Sequence, residues 1–229
     1  QDMHEAEGMM RRSVANPAGR LRVDVPAAVG RHVIGPALPS FFSRFPDIVL
    51  DLGSSDRPVD LVAEGVDCVV RGGLVHDESL VARHLGQYQV VTCAAPSYLV
   101  RYGTPITPDD LTPGDAKALT RRRESDRAAN ADNGGHRFLN FHSAKTGNGF
   151  AFEFARGDDV RELHGPHWVS CNDAGTYLAA GLSGMGLMQT PLTRVVRGHI
   201  QRGELVPVLQ DWNAGTLPMM ILYPRNRHL

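Results

Sequence analysis

Apolar and polar positions alternate between two periods along this chain. Leu21-Arg22-Val23-Asp24-Val25 switches side at every residue, the period of a strand. Pro26-Ala27-Ala28-Val29-Gly30 then reads as a turn. Residues 32–44 follow at helical spacing, with Val33, Leu38, Phe41, Phe42 and Phe45 on one side and Pro36 and Pro39 in the first turns. Ile48–Leu52 predicts a second strand. Pro58–Glu64 predicts a short helix that buries Val59, Leu61 and Val62 and stops at Gly65, and Asp67–Arg71 a third strand. Strand and helix in strict alternation imply a parallel sheet with right-handed crossovers.

The second half continues in the same manner. Leu80–Ala95 reads as two strand segments, Ser97–Tyr102 as a short helix and Thr107–Leu111 as one more helical turn. Phe138–Phe141 is strand-like, and Phe150–Phe154 and Val160–His164 flank Arg156-Gly157-Asp158-Asp159 as a hairpin. Trp168–Cys171 is a strand, and Asn172 or Asp173 caps a helix Ala174–Leu182. Gly186–Gln189, Leu205–Leu209 and Leu217–Tyr223 are strands, with a helix over Pro191–His199. Residues 112–135 break the rhythm: they are polar, charged and poor in large apolar side chains, which predicts a surface insertion.

Composition narrows the function classes. The 229 residues carry 24 basic and 25 acidic side chains, a net charge of −1. A chain this balanced lacks the basic excess of a self-sufficient DNA-binding domain. All basic residues except Lys117 and Lys145 are arginine, which reads as codon bias rather than chemistry. Cys68, Cys93 and Cys171 are an odd, widely spaced set in apolar stretches, so free buried thiols in a reducing compartment are expected. Cys171 precedes an expected helix start, a position that can lower a thiol pKa. No apolar run reaches the ~20 residues needed to span a bilayer.

Motifs for catalysis are missing. Gly181-Leu182-Ser183-Gly184-Met185-Gly186 is glycine-rich but follows a helix and precedes a strand, the wrong order for a phosphate cradle, so it is read as a helix cap and turn. His164 and His167 have no nearby carboxylate or thiol to complete a metal set. No enzyme activity, cofactor or metal is therefore expected. What the pattern offers is binding. In open parallel sheets ligands lie beyond the carboxyl ends of the strands. Those ends carry Pro26, Ala27, Ala28 and Val29, then Ser54 and Ser55, then Arg71. The loop 142–148 adds His142, Ser143, Lys145 and Thr146, and Asn172 and Asp173 form a further polar helix start. Each also has a plain reading as turn or cap chemistry.

In order along the chain, these segments resemble the effector-binding domain of LysR-type transcriptional regulators. The resemblance rests on Gly19–Val23, Pro36–Phe41, Phe45–Ile48, Asp60–Arg71, Asn172–Ala174, Tyr177–Leu182, Gly186-Leu187 and Leu222–Leu229. It covers roughly residues 19–111 and 136–229. The resemblance implies an α/β fold of two Rossmann-like subdomains, the type 2 periplasmic-binding-protein fold, joined by two crossing strands near Tyr88–Val91 and Leu217–Ile221. Residues 1–18 would end a linker helix, 19–90 with 219–229 would form subdomain I and 91–218 subdomain II, with 112–135 additional to the usual pattern. It further implies a small-molecule effector, often an organic anion, held by the residues named above. Binding would alter the geometry of a homodimer or homotetramer. Contact with DNA would come only through a helix-turn-helix domain not in this chain, and the family's last helix would follow Leu229. A cytoplasmic regulator is the expectation. A transport-type solute-binding protein of the same fold is the alternative, and an enzyme on this fold is a third reading without a recognisable nucleophile, base or metal set.

Overall fold

The computed structural model describes residues 17–57, 59–61, 63–73, 77, 79–111 and 135–225. The expected linker helix end, most of the 112–135 insertion and the last four residues lie outside the described residues. The chain divides into two units, residues 1–86 with 219–229 and residues 87–218.

Unit 1 is built on β1 (Gly19–Val25), β2 (Ile48–Ser54) and β3 (Cys68–Gly72), which run parallel. β1 is central: it is in register with β2 from Gly19↔Ile48 to Val25↔Ser54 and with β3 at Val23↔Cys68. Residues 219–222 of β11 (Thr216–Pro224) close the other side of β3 antiparallel. The parallel sheet expected from the strand–helix alternation is present. Leu61, Val69 and Leu222 form the core of this unit.

The expected turn at 26–30 is instead the start of a helical run. α1 (Ala27–Val29), a π-helical stretch Gly30–Ile34 and α2 (Gly35–Arg44) are continuous, with Pro26 as the N-cap. Gly30, expected in the turn, sits in the right-handed region at φ −55°. Its role is steric: a Cβ there would lie 2.5 Å from Ser54 Oγ. The π-stretch has a local cause. Pro36 has no N–H to donate to the α-helical acceptor four residues back, and the Gly35 N–H reaches Gly30 O, five residues back. Val33 and Phe42, expected on the buried side, are exposed at 51% and 37%. The helix expected at Pro58–Glu64 is not formed over its described residues, which make turns, with Glu64 N–H on Asp60 O at 2.9 Å; Pro58 and Val62 lie outside the described residues.

β4 (Leu80–Ala94) is one strand of fifteen residues, not the two segments expected. Gly86 lets it continue: its φ is +155° and nothing lies within 4 Å of where its Cβ would be. β4 and β11 each carry the chain from one unit into the other.

Unit 2 contains α3 (Pro96–Tyr102), a 3-10 turn Pro108–Leu111, β5 (Phe138–Phe141), β6 (Phe152–Arg156) and β7 (Asp159–Leu163). β8 (His167–Cys171), α4 (Ala174–Leu182), β9 (Met188–Pro191), α5 (Arg194–Gln201) and β10 (Val206–Pro207) follow. β5 pairs parallel with β8, β6 and β7 form the expected hairpin, and β9 and β10 pair antiparallel with β4. β6 is shifted two residues on from the expected Phe150–Phe154, and three other boundaries differ from expectation. β9 starts two residues late, because Gly186, at φ +154°, lies against the backbone of residues 137–139. α5 starts at Arg194 because Pro191 still pairs with Val90 and the Thr193 hydroxyl caps Val196 N–H at 3.3 Å. The strand expected over Leu205–Leu209 shrinks to two residues.

The core of unit 2 has two layers. Ala94, Phe138 and Leu187 belong to a cluster with Tyr98, Phe154 and Trp212. Their chain neighbours Cys93, Leu139 and Met188 belong to another with Tyr177, Val196 and Leu205. Successive strand residues point to opposite faces, so strands covered on both sides read as unbroken apolar runs. Tyr177 ties the second layer together: its hydroxyl donates to Leu139 O at 3.1 Å and accepts from Gln189 N–H at 3.2 Å. Gly186→Ala would place a Cβ 2.8 Å from Arg137 O at a φ that L-residues avoid. It should lower unfolding stability by more than about 1 kcal/mol, read as a smaller midpoint in urea with an unchanged slope.

Candidate functional site

In unit 1 the carboxyl ends of three parallel strands meet. Ser55 N–H donates to Val25 O at 3.0 Å, which brings the β2 exit beside Pro26 and α1. Ala27 N–H donates to Asp56 Oδ1 at 3.0 Å, so a carboxylate of the chain itself occupies the helix start. That arrangement satisfies one of the orphan amide donors and places negative charge at the positive helix end. Ala27, Ala28 and Val29 are half-buried, Ser54 is exposed and Ser55 half-buried. The Ser55 hydroxyl oxygen is buried and has no hydrogen-bond partner in the structure. Buried polar atoms are nearly always paired, so this one asks for an explanation.

Arg71 does not stand ready as a bare cation. Its guanidinium is paired with the Asp24 carboxylate, and it also donates to Val70 O at 2.8 Å and Arg57 O at 3.1 Å. The side chains of Arg71 and Asp24 are only 16% and 11% exposed. Asp24 was not singled out in the sequence, where it reads as the polar position of an alternating strand. Its requirement extends to the neighbouring strand, since a Cβ at Gly53 would lie 2.3 Å from Asp24 Oδ2. Gly30 and Gly53 therefore serve close packing within the chain rather than the approach of a ligand.

In unit 2 the two predicted loops are adjacent because β5 and β8 are neighbours, with His142 N–H on Cys171 O at 2.8 Å. The Ser143 hydroxyl is used inside its own loop: it accepts from Lys145 N–H at 3.2 Å and Thr146 N–H at 3.4 Å. Thr146 Oγ1 in turn accepts from Asn148 N–H at 3.3 Å, and Gly147 turns the loop at φ +71°. Lys145 and Thr146 are exposed, and Lys145 takes part in no ion pair among the described residues. Asn172 is exposed, while Asp173 is the cap of α4 and accepts from Thr176 N–H at 2.6 Å and Thr176 Oγ1 at 2.7 Å. Ser170 was missed: its hydroxyl joins His142 Nδ1 at 2.8 Å and Asn140 Nδ2 at 2.7 Å. Its place opposite Asn140 follows only from the β5–β8 register.

The thiols are suppressed. Burial pushes Cys93 up to about 12 and raises Cys68, and burial with the nearby Asp173 carboxylate raises Cys171. The helix-start effect considered for Cys171 is thus outweighed by desolvation and a like charge. Among the described residues no group of three or more His, Cys, Asp or Glu side chains could hold a metal ion. No helix among them is long and apolar enough to cross a membrane.

Comparison with known proteins agrees with the fold. A model described as the LysR substrate binding domain matches residues 15–126. The chain is 32% identical over 228 residues to the uncharacterized HTH-type transcriptional regulator YhjC of Escherichia coli K12, covering all of this chain and 69% of that protein. It is 33% identical over 230 residues to the HTH-type transcriptional repressor PA14_22550 of Pseudomonas aeruginosa, covering all of this chain and 65% of that one. CrgA, a LysR-type transcriptional regulator from Neisseria meningitidis, superposes with a TM-score of 0.70 at 25% identity, over 98% of this chain and 68% of CrgA. The regulatory domain of CrgA alone gives 0.66 over 92% of this chain and 91% of that one. The fold is thus that of the regulatory domain of transcriptional regulators. The chain belongs to the LysR-type family and is the effector-sensing domain of such a regulator, not a transport protein. It spans about two thirds of the length of these relatives.

Two outcomes follow from this geometry. Removing one member of a largely buried ion pair leaves the other charge uncompensated, so Arg71→Ala and Asp24→Ala should each cost roughly 3 kcal/mol. The double variant should cost clearly less than the sum, in a denaturation cycle. Raised thiol pKa values leave little thiolate at pH 8. A disulfide reagent should therefore modify native Cys68 first and slowly, with Cys93 reacting only on unfolding, and the Cys68 rate should climb as pH rises.

Proposed function

We propose that a small-molecule effector binds at the strand-end loops and that its binding alters DNA contacts of the complete regulator through the geometry of a homodimer or homotetramer in the cytoplasm. The observation that carries the reading is the Ser55 hydroxyl, buried and without a partner at the end of β2. It sits where parallel sheets bind ligands, beyond the carboxyl ends of β1 and β2. In unit 1 the residues offered to an effector are Pro26–Val29, Ser54 and Ser55, with Arg71 holding Asp24 and the strand ends in place. Taken by itself, unit 2 offers His142, Ser143, Lys145, Thr146, Asn172 and Asp173, and Lys145 is the counter-charge it would present to an organic anion.

Thermal-shift screening of small carboxylates and neutral metabolites, followed by calorimetry, tests this. A true effector at a hundred times its Kd stabilises by about 2.7 kcal/mol. Ser55→Ala and Lys145→Gln should each weaken binding about tenfold, a loss of about 1.4 kcal/mol. The reading fails if no compound raises Tm, or if both variants bind the stabilising compound as well as the parent does.

A further inference from the structure

Unit 2 has a cavity of its own, away from the strand-end loops. Its volume is about 710 Å³, and it lies along the residue 89–92 part of β4, the β6–β7 turn, α5 and residues 207–214. Pockets that hold small organic molecules measure roughly 300–1,000 Å³ and combine an apolar lining with a few polar groups. Leu192 and Ile200 are among the apolar side chains lining this one, and Trp212 is another, a buried ring with 5% exposure.

The polar groups are cationic. The Arg156 guanidinium lies 4.4 Å from the centre of the Trp212 ring. Asp159, three residues on, is held by Arg161 through two bonds of 2.9 Å and feels Arg156 only at longer range. Among the described residues Arg156 is in no close ion pair, and neither is Arg197, which lines the same cavity. Asp211 also lines it, so the local balance is two positive charges against one negative. Trp212 Nε1 is buried with no hydrogen-bond partner in the structure. A stacked arginine is preorganised for a planar carboxylate, because its fork matches two oxygens while the ring holds its face.

We infer that this cavity is a second ligand site, which takes a small organic monoanion with a flat apolar body. The carboxylate lies between Arg156 and Arg197, and the apolar body rests on Leu192, Ile200 and Trp212. The site lies within residues 87–218 and does not depend on the strand-end assignment.

The test uses the whole 229-residue chain with phenylacetate as the probe. The sequence has two tryptophans, so Trp168→Phe leaves Trp212 as the sole reporter. Titration should give a saturable change in its fluorescence. Phenylacetamide, which lacks the charge, and acetate, which lacks the apolar body, should each bind at least about tenfold more weakly. Arg156→Gln and Arg197→Gln should each weaken phenylacetate about tenfold, while Arg156→Lys retains part of the affinity. Arg197→Gln decides the matter if Arg156→Gln does not fold, since Arg197 is not stacked on Trp212. Ser55→Ala and Lys145→Gln should leave this titration unchanged, which separates it from effector binding at the strand ends. The proposal is overturned if phenylacetate leaves Trp212 fluorescence unaltered, if Arg197→Gln binds it as tightly as the parent, or if Ser55→Ala removes the signal.

Discussion

A single buried carboxylate organises unit 1. Asp24 lies on the central strand and must have a cation near it, because an isolated charge in that position would be strongly unfavourable. Arg71, at the end of the neighbouring strand, supplies it. The same carboxylate leaves room only for hydrogen at Gly53 on the other neighbouring strand. The ends of β1, β2 and β3 are thereby held in one arrangement, and the loops leaving them inherit it. The charges at these strand ends are thereby satisfied within the chain itself.

Unit 2 depends on a different constraint. Its strands are covered on both faces, so consecutive residues such as Phe138 and Leu139 enter separate cores. Neither layer can be repacked without the other, because both share one backbone. The small residues at close approaches follow from this. Gly181 faces the Met188 sulfur, and Gly186 faces the β5 backbone.

Much of this was readable from the pattern of side chains. The parallel strands of unit 1, the hairpin at 152–163 and the Asp173 cap follow local rules of period, turn and cap, and local rules are written in consecutive residues. The errors arose where a residue answered to something distant. Gly30 looked like a turn because its reason for being glycine is Ser54, twenty-four positions away. Pro191 looked like a helix start because its pairing with Val90 is a tertiary fact. The ion pair of Arg71 was invisible because Asp24, its partner, reads as an ordinary polar strand position. Ser143 hides a second task, since its oxygen accepts from two amides of the turn it occupies. Ser170 carried no signal at all, since only sheet register sets it against His142 and Asn140.

The suppressed thiols bear on what kind of signal this domain can read. Oxidation of cysteine begins from the thiolate, and the sulfenic acid it forms must be reachable by oxidant and by a resolving partner. Here desolvation raises the pKa of all three thiols, and Cys93 is wholly enclosed. Each sulfur is thereby a poorer nucleophile toward oxidant than an exposed cysteine at the same pH. The effector-sensing task of the domain rests on a scaffold whose thiols are held back from that chemistry.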